Sequence, residues 1–376
     1  DFEVFRPVFL HPWVWQSLTQ IVWGRTVLER ETWQLEYEFW HQAHQQIAQN
    51  FVEGQFFQSF TEAVQLECSC IAVSESDGYF AAGFVDGTVR VYDIGTMALL
   101  TVLGTSHGGP ILVPVRGIVI SGEDSFTFAT EDGNIYCAPI IGPSYRAVVS
   151  RRLRGDLLSF AGNRQWWVGL FVTFPAFDVW DLRQGKPQLV YSGGEFRRGR
   201  SVHVSVTSTG YVVACSCYGI LAFSLLNPGR FTWQMSFPST NFYGAVLPST
   251  FSACDDACSV FVEDDQPLRR FGFVEDGQPI RLPLMVIDVA SGQMLSNSYM
   301  LSPPNGYRDW ILGCMNTRLV VVRTLPNIGR LISYRGEVHL HPMTLQISFD
   351  SAVVSDRYLV TYVASRRQFM VLDFLV

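Results

Sequence analysis

Charge is scarce in this sequence: Asp, Glu, Lys and Arg together make up 16% of the 376 residues, against 48% apolar. A chain so poor in charge is neither wholly disordered nor a coiled coil, and is expected to bury sheet on both faces. What charge there is favours the acidic side, with a formal net of −7, which argues against general binding of nucleic acid or anionic membranes by the whole surface. Long apolar runs are missing too. The richest, Ile111 to Ile120, is broken by Pro114, Arg116 and Gly117, well short of the roughly 18 to 20 residues a membrane helix needs. The eight cysteines form no paired framework. Cys68/Cys70 and Cys215/Cys217 sit two apart in strand-like runs, where both side chains are expected to face one way as reduced core residues in a reducing compartment. A chain of this length needs no disulfide or metal staple. It begins at Asp1 rather than Met and is expected to be a fragment.

Two periodicities divide what is present. Over the first 54 residues, Trp33, Tyr37, Trp40, His44, Ile47 and Phe51 recur at alternating spacings that draw one stripe down a helix, with Thr32 placed to cap it. Trp15, Leu18, Ile21, Val22 and Trp23 suggest another helix. From about residue 55 to 376 the period falls to two and Gly, Asp, Ser and Pro punctuate the chain about every 8 to 12 residues, an all-β signal. The clearest unit runs from Tyr79 to Leu100: a strand, an Asp86-Gly87 turn, a strand ending Val91-Tyr92-Asp93, a turn at Gly95 and a further strand. Asp132-Gly133 repeats the turn, while Val179-Trp180-Asp181, Val286-Ile287-Asp288 and Val371-Leu372-Asp373 repeat the ending, a WD repeat in degraded form. Seven units of about 46 residues fit, near the length of a four-stranded propeller blade. The expected fold is all-β: a seven-bladed WD-like propeller over 55–376 behind a short helical module over 1–54. The last unit stops after its third strand, so a strand at about 56–64 is expected to complete it and close the ring.

The chain resembles a known family, the plant STERILE APETALA proteins, which are F-box proteins with a WD-like propeller. The residues that carry the resemblance are Trp15-Gln16-Ser17-Leu18, Val22-Trp23-Gly24-Arg25, Thr32-Trp33 and Ala48-Gln49-Asn50-Phe51, then Ala81 to Arg90, Phe128 to Gly133, Trp166 to Phe171 and Gly313-Cys314-Met315-Asn316. The F-box that precedes this region in the family is largely missing, with only Val4-Phe5-Arg6 similar to its later part, and the insertion at Asp264 to Gly277 is longer than the family pattern. The resemblance implies a non-catalytic substrate receptor of an SCF-type cullin–RING ubiquitin ligase. Its F-box would bind a Skp-type adaptor and cullin, and its propeller would bind transcriptional-repressor clients of the PEAPOD and KIX-adaptor kind. It also implies a nuclear location and roles in organ size and flower development; the acidic charge and the lack of a long apolar run leave neither a direct nucleic-acid nor a membrane partner expected. A WD-type scaffold or transcriptional co-regulator outside any ligase is the alternative.

No catalytic, cofactor or metal site is expected. His41 and His44 are three apart on a helix but lack a third ligand, and Cys254 and Cys258, flanking Asp255-Asp256 in an expected loop, lack a second pair. His339/His341 read as packing or surface residues, and Asp264/Asp265 as solvated carboxylates. Arginine is more telling. Arg151, Arg152 and Arg154, Arg197, Arg198 and Arg200, Arg269 and Arg270, and Arg366 and Arg367 fall in loops that the propeller register sends to one face. Solvated loop arginines are one reading; the other is an anion-recognising face for an acidic or phosphorylated client, with Trp310 and Phe271 nearby as aromatic contacts. The tryptophan-rich helices are expected to pack on the propeller and fix its orientation.

Overall fold

The computed structural model describes residues 11–23, 28–74, 78–106, 109–122, 125–140, 146–150, 156–172, 177–184, 187–193, 201–216, 219–226, 231–236, 246–262, 280–302, 312–316, 319–325, 328–333, 343–345 and 350–376. Among the described residues two helices, α1 (Pro12–Trp23) and α2 (Trp33–Glu53), precede the strands. Thr32 caps α2, its side chain accepting from the Leu35 amide, and Gly54 ends it at φ 68°, a left-handed cap that glycine adopts without a Cβ penalty. The spacing of α1 misleads. Ile21 and Val22 are exposed, whereas Val14 and Thr19 are buried, the Thr19 hydroxyl being satisfied by the Trp15 carbonyl at 2.7 Å.

Among the described residues the strands form seven four-stranded antiparallel sheets and one two-stranded ribbon. Sheet 1 holds Cys68–Ser74, Tyr79–Phe84, Val89–Asp93 and Leu99–Leu103, and sheet 2 holds Val115–Gly122, Ser125–Thr130, Asn134–Pro139 and Arg146–Ser150. Sheet 3 is Leu157–Gly162, Trp166–Phe171, Phe177–Asp181 and Gln188–Gly193; sheet 4 is Ser201–Val206, Tyr211–Ser216, Gly219–Ser224 and Phe231–Ser236. Sheet 5 is Val246–Cys254, Ala257–Val262, Ile280–Asp288 and Met294–Ser302; sheet 6 is Leu312–Met315, Leu319–Leu325, Ile328–Ser333 and Met343–Leu345. Sheet 7 takes Ser351–Val354, Tyr358–Val363 and Gln368–Asp373 from the end of the chain and Phe57–Phe60 from near its start, with Phe57 opposite Asp373 and Phe60 opposite Met370. The first strand of each sheet lies against that of the next, and the first strand of sheet 7 lies against that of sheet 1. This is a β-propeller, closed by a strand borrowed across the sequence.

Packing between sheets explains the composition. Tyr79–Phe84, Trp166–Phe171 and Tyr358–Val363, all second strands, are buried along their whole length, because each sheet has a neighbour on both faces. Trp166, Val168 and Leu170 pack toward sheet 4, while Trp167 and Phe171 pack toward sheet 2. Outermost strands meet water instead, leaving Leu99, Leu100 and Val102 half exposed. The innermost strands approach so closely that a Cβ on Gly117 would collide with the Phe160 carbonyl of the next sheet, and one on Gly313 would lie 2.8 Å from the Thr250 carbonyl.

The repeated aspartates have local work. Asp86 Oδ1 accepts from the Thr88 amide and hydroxyl at 3.0 and 2.7 Å across a turn whose Gly87 sits at φ 86°. Asp93 and Asp288, each ending a third strand, accept from the amide and hydroxyl of Thr96 and Ser291 at 2.6–2.7 Å and so close the turn to the fourth strand. An acceptor three residues before a backbone N–H is what such a turn needs, and Asp supplies it whether the residue before it is aromatic, as Tyr92, or aliphatic, as Ile287.

Candidate functional site

Antiparallel alternation gives the ring two distinct rims. Turns between first and second strands, and the ends of third strands, emerge on one; turns between second and third strands emerge on the other. The helices occupy the first rim. Ile47 and Phe51 of α2 join Val354, Leu359, Leu372 and Phe374 of sheet 7 and Cys314 and Val321 of sheet 6 in one buried cluster. Phe51 stacks on Phe374 with ring centroids 3.6 Å apart, and Asn50 Nδ2 donates to the Phe374 carbonyl at 2.8 Å. The upper part of the stripe meets α1 instead: Trp23 stacks on His44 at 4.5 Å and tilts against Tyr37, while Tyr37 also meets Trp15 at 5.4 Å. The buried Glu36 carboxylate accepts from Trp40 Nε1 at 2.7 Å and from the Glu29 amide at 3.1 Å.

Between this module and the ring lies a half-open cavity of about 550 Å³. Its roof is Val22, Trp23, Trp40 and His44; its floor comes from first-to-second turns of five sheets, including Val73, Ser208, Cys254, Asp255, Asn316, Val354 and Asp356. No sequence motif marks it, since its lining is gathered from turns hundreds of residues apart.

On the opposite rim, Arg366 and Arg367 are exposed in the turn between the second and third strands of sheet 7. Arg367 adopts φ 52°, and the Arg366 guanidinium lies 5.7 Å from the Phe60 ring centre. Arg116 and Glu131 form an ion pair near this rim, at the start of sheet 2. The remaining arginines singled out from sequence, Arg151, Arg152, Arg154, Arg197, Arg198, Arg200, Arg269 and Arg270, lie outside the described residues, as do Trp310, Phe271, His339, His341, Asp264 and Asp265.

Two readings of cysteine need correction. Cys254 and Cys258 do flank the Asp255-Asp256 turn, but they are not loop thiols: Cys254 ends one strand of sheet 5 and pairs with Ala257, and Cys258 lies in the next strand. Cys68 and Cys70 do not face one way either. A bulge between them sends Cys68 toward sheet 7 and Cys70 toward sheet 2, as expected when one extra residue breaks the alternation of a strand. Among the described residues no group of three or more His, Cys, Asp or Glu is arranged to hold a metal ion.

Burial pushes the Cys70, Cys258 and Cys314 thiols up to about 12 from an ordinary 9.0. They are therefore expected to resist iodoacetamide at pH 8 until the fold opens, checked by intact-mass alkylation with and without denaturant. In the unfolded chain these thiols ionise near 9 while the folded ones stay protonated, so stability falls as pH rises from about 9 toward 12.

No family model matches the chain. A curated Arabidopsis thaliana protein is 31% identical over 242 residues, covering 57% of this chain and 53% of its own length. It is named transcriptional regulator STERILE APETALA. The family resemblance drawn from the sequence is thus borne out, although the chain spans only about half of STERILE APETALA. Among solved structures, U3-55K superimposes with a TM-score of 0.60 at 12% identity, covering 84% of this chain and 98% of that one. The RRP9 WD40 repeats give 0.60 at 12% identity, covering 85% and 99%. Likeness at that identity fixes the fold, a WD40-type propeller, and nothing of the chemistry. No helix among the described residues is long and apolar enough to cross a membrane.

Proposed function

We propose that this chain is a non-catalytic docking platform, a seven-bladed propeller that recognises protein clients. In the full protein it acts as the substrate receptor of an SCF-type ubiquitin ligase in the nucleus. The observation that carries the reading is the division of the rims: the helical module is packed onto one by Phe51, Asn50 and Ile47, leaving the rim of Arg366 and Arg367 for a client. The STERILE APETALA likeness, to a protein named a transcriptional regulator, supports the nuclear location and clients that act in transcription. A Skp-type adaptor and cullin would join through the F-box, and catalysis would belong to other subunits. The platform's contribution is proximity, which converts a bimolecular transfer into an effectively intramolecular one.

Arginine forks suit a bidentate carboxylate or phosphate on the client. The full-length protein, purified from plant nuclei, is expected to carry a Skp-type adaptor and a repressor client of the PEAPOD or KIX-adaptor kind, both detectable by mass spectrometry. Charge reversal of Arg197, Arg198 and Arg200 together with Arg366 and Arg367 is expected to cut client recovery at least about tenfold, equivalent to roughly 1.4 kcal/mol, with the melting temperature nearly unchanged. Client recovery without an adaptor would favour a WD-type scaffold or co-regulator outside the ligase, and recovery unaffected by charge reversal would reject the arginine rim.

A further inference from the structure

Propeller sheets are radial, so the space between two of them widens toward the circumference. Between sheets 7 and 1 the side chains that meet there follow from the register. Tyr92 packs in the cluster that joins the two sheets, and Arg90, two residues earlier in the same strand, shares its face, with its guanidinium 5.6 Å from the Phe84 ring centre. On the outer strand of sheet 1, Val102 pairs with Arg90 and Leu99 with Tyr92, Leu100 being the extra residue of a bulge. From sheet 7, Phe57 pairs with Asp373 and Ser59 with Val371, and Val371 belongs to that same cluster, so Phe57 is on the face turned to sheet 1. Phe57, Leu99 and Val102 are 61%, 46% and 49% exposed. They wall an open apolar seam. Arg116, Arg183 and Arg357 each meet a carboxylate, on Glu131, Asp181 and Asp373, whereas Arg90 meets none among the described residues. Arg90 is only partly exposed, its Nε is buried without an acceptor, and the hydroxyl of the buried Tyr92 beside it is unpartnered as well. A guanidinium half withdrawn from water with no counter-charge carries a desolvation cost that an incoming carboxylate would recover.

We infer that this seam binds an extended segment of a partner protein, which presents a glutamate or aspartate to Arg90 and, two residues away, an apolar side chain to Phe57 and Leu99. The spacing is the reason for an extended segment. Arg90 with Val102 and Tyr92 with Leu99 form two levels two residues apart, about 7 Å along the strands, which is the separation of same-side residues in an extended chain. One flank of the seam is also the edge strand of sheet 1, and an extended chain is what such an edge receives. A carboxylate is selected over its amide because hydrogen bonds between two charged partners are about twice as strong as neutral ones. The seam opens on the circumference, between the two rims, so it stands or falls apart from the proposed client face.

Titration calorimetry of the chain with the end-capped peptide Ser-Leu-Ser-Glu-Ser-Leu-Ser tests the inference; its leucines on either side of the glutamate serve both directions of binding. The peptide is expected to bind saturably, and at least about tenfold more tightly than the analogues with glutamine for glutamate or serine for both leucines. Arg90→Gln, checked by an unchanged melt, should weaken it at least about tenfold. Two replacements at exposed positions keep the test independent of the core. Val102→Glu sets a carboxylate on the strand opposite Arg90 and should abolish binding without lowering the melting temperature, and Leu99→Ser should weaken binding severalfold. Arg366→Glu with Arg367→Glu should weaken it less than Arg90→Gln does. No saturable binding, equal binding of the glutamine analogue, or affinity that survives Arg90→Gln and Val102→Glu would each overturn the site. A loss in the Arg366 and Arg367 variant as large as that in Arg90→Gln would assign the peptide to the arginine rim and overturn the seam as well.

Discussion

Replacing Phe369 by alanine is expected to destabilise the ring by about 3–5 kcal/mol, read as a lowered urea midpoint in equilibrium unfolding. Phe369 lies in the third strand of sheet 7, is fully buried, and faces sheet 1. Its ring centre is 5.4 Å from Phe80, 5.6 Å from Tyr92, 5.2 Å from Tyr362 and 6.2 Å from Phe84, the last edge-on. With Tyr358, these rings belong to one buried cluster between the last sheet and the first. Removing the central one forfeits the transfer free energy of a benzyl group and leaves a cavity bounded by two sheets that cannot collapse together without distorting the circle. The Phe369 amide also donates to Thr61 Oγ1 at 3.1 Å, and the Thr61 amide to the Phe369 carbonyl at 3.0 Å, so the same residue anchors the segment following Phe57–Phe60 that completes sheet 7. A loss below about 1 kcal/mol would mean that this seam repacks freely and contributes little to closure.

The ring was readable from particular residues. Asp86-Gly87 and Asp132-Gly133 mark turns because glycine supplies φ of 86° and 80° there, and the apolar-aromatic-Asp endings mark third strands because their aspartates close the next turn. The α2 stripe was equally legible, being a local pattern that one helix displays whatever it packs on. Local patterns do not report bulges. The one between Cys68 and Cys70 reverses the direction of a side chain with no accompanying Gly or Pro to announce it. In α1 the apolar spacing pointed to Ile21, yet Val14 and Thr19 are the residues buried, since tertiary contact with α2 chose the face. The cavity was invisible for a different reason. Asp255, Asn316 and Asp356 are ordinary turn residues one at a time, and only ring closure brings them beneath Trp23 and Trp40.

A Phe51→Ala replacement is expected to loosen the helical module from the ring at a cost of about 3–5 kcal/mol while the sheets stay folded. The asymmetry follows from where the contacts are. Phe51 is buried by Phe374 and the edges of sheets 6 and 7, whereas the cores between sheets 1 to 5 contain no helical residue among the described residues. The helix itself keeps its Thr32 and Gly54 caps and its own side-chain pairs, such as Gln34 with Glu38 and Gln46 with Asn50 at 2.9 Å. Isolated, however, it lacks the tertiary packing of its apolar face that supplies most of a helix's stability in a protein. Hydrogen exchange should therefore accelerate across residues 33–53 by several orders of magnitude and change little in sheets 2 to 4. Transferred to the full-length protein, the same replacement separates two contributions to the proposed activity: client capture by the arginine rim should persist, and transfer to the client should fall, because a propeller on a slack tether no longer holds its cargo at a defined distance. Equal loss of capture and transfer would place the role of Phe51 in folding of the ring rather than in its orientation.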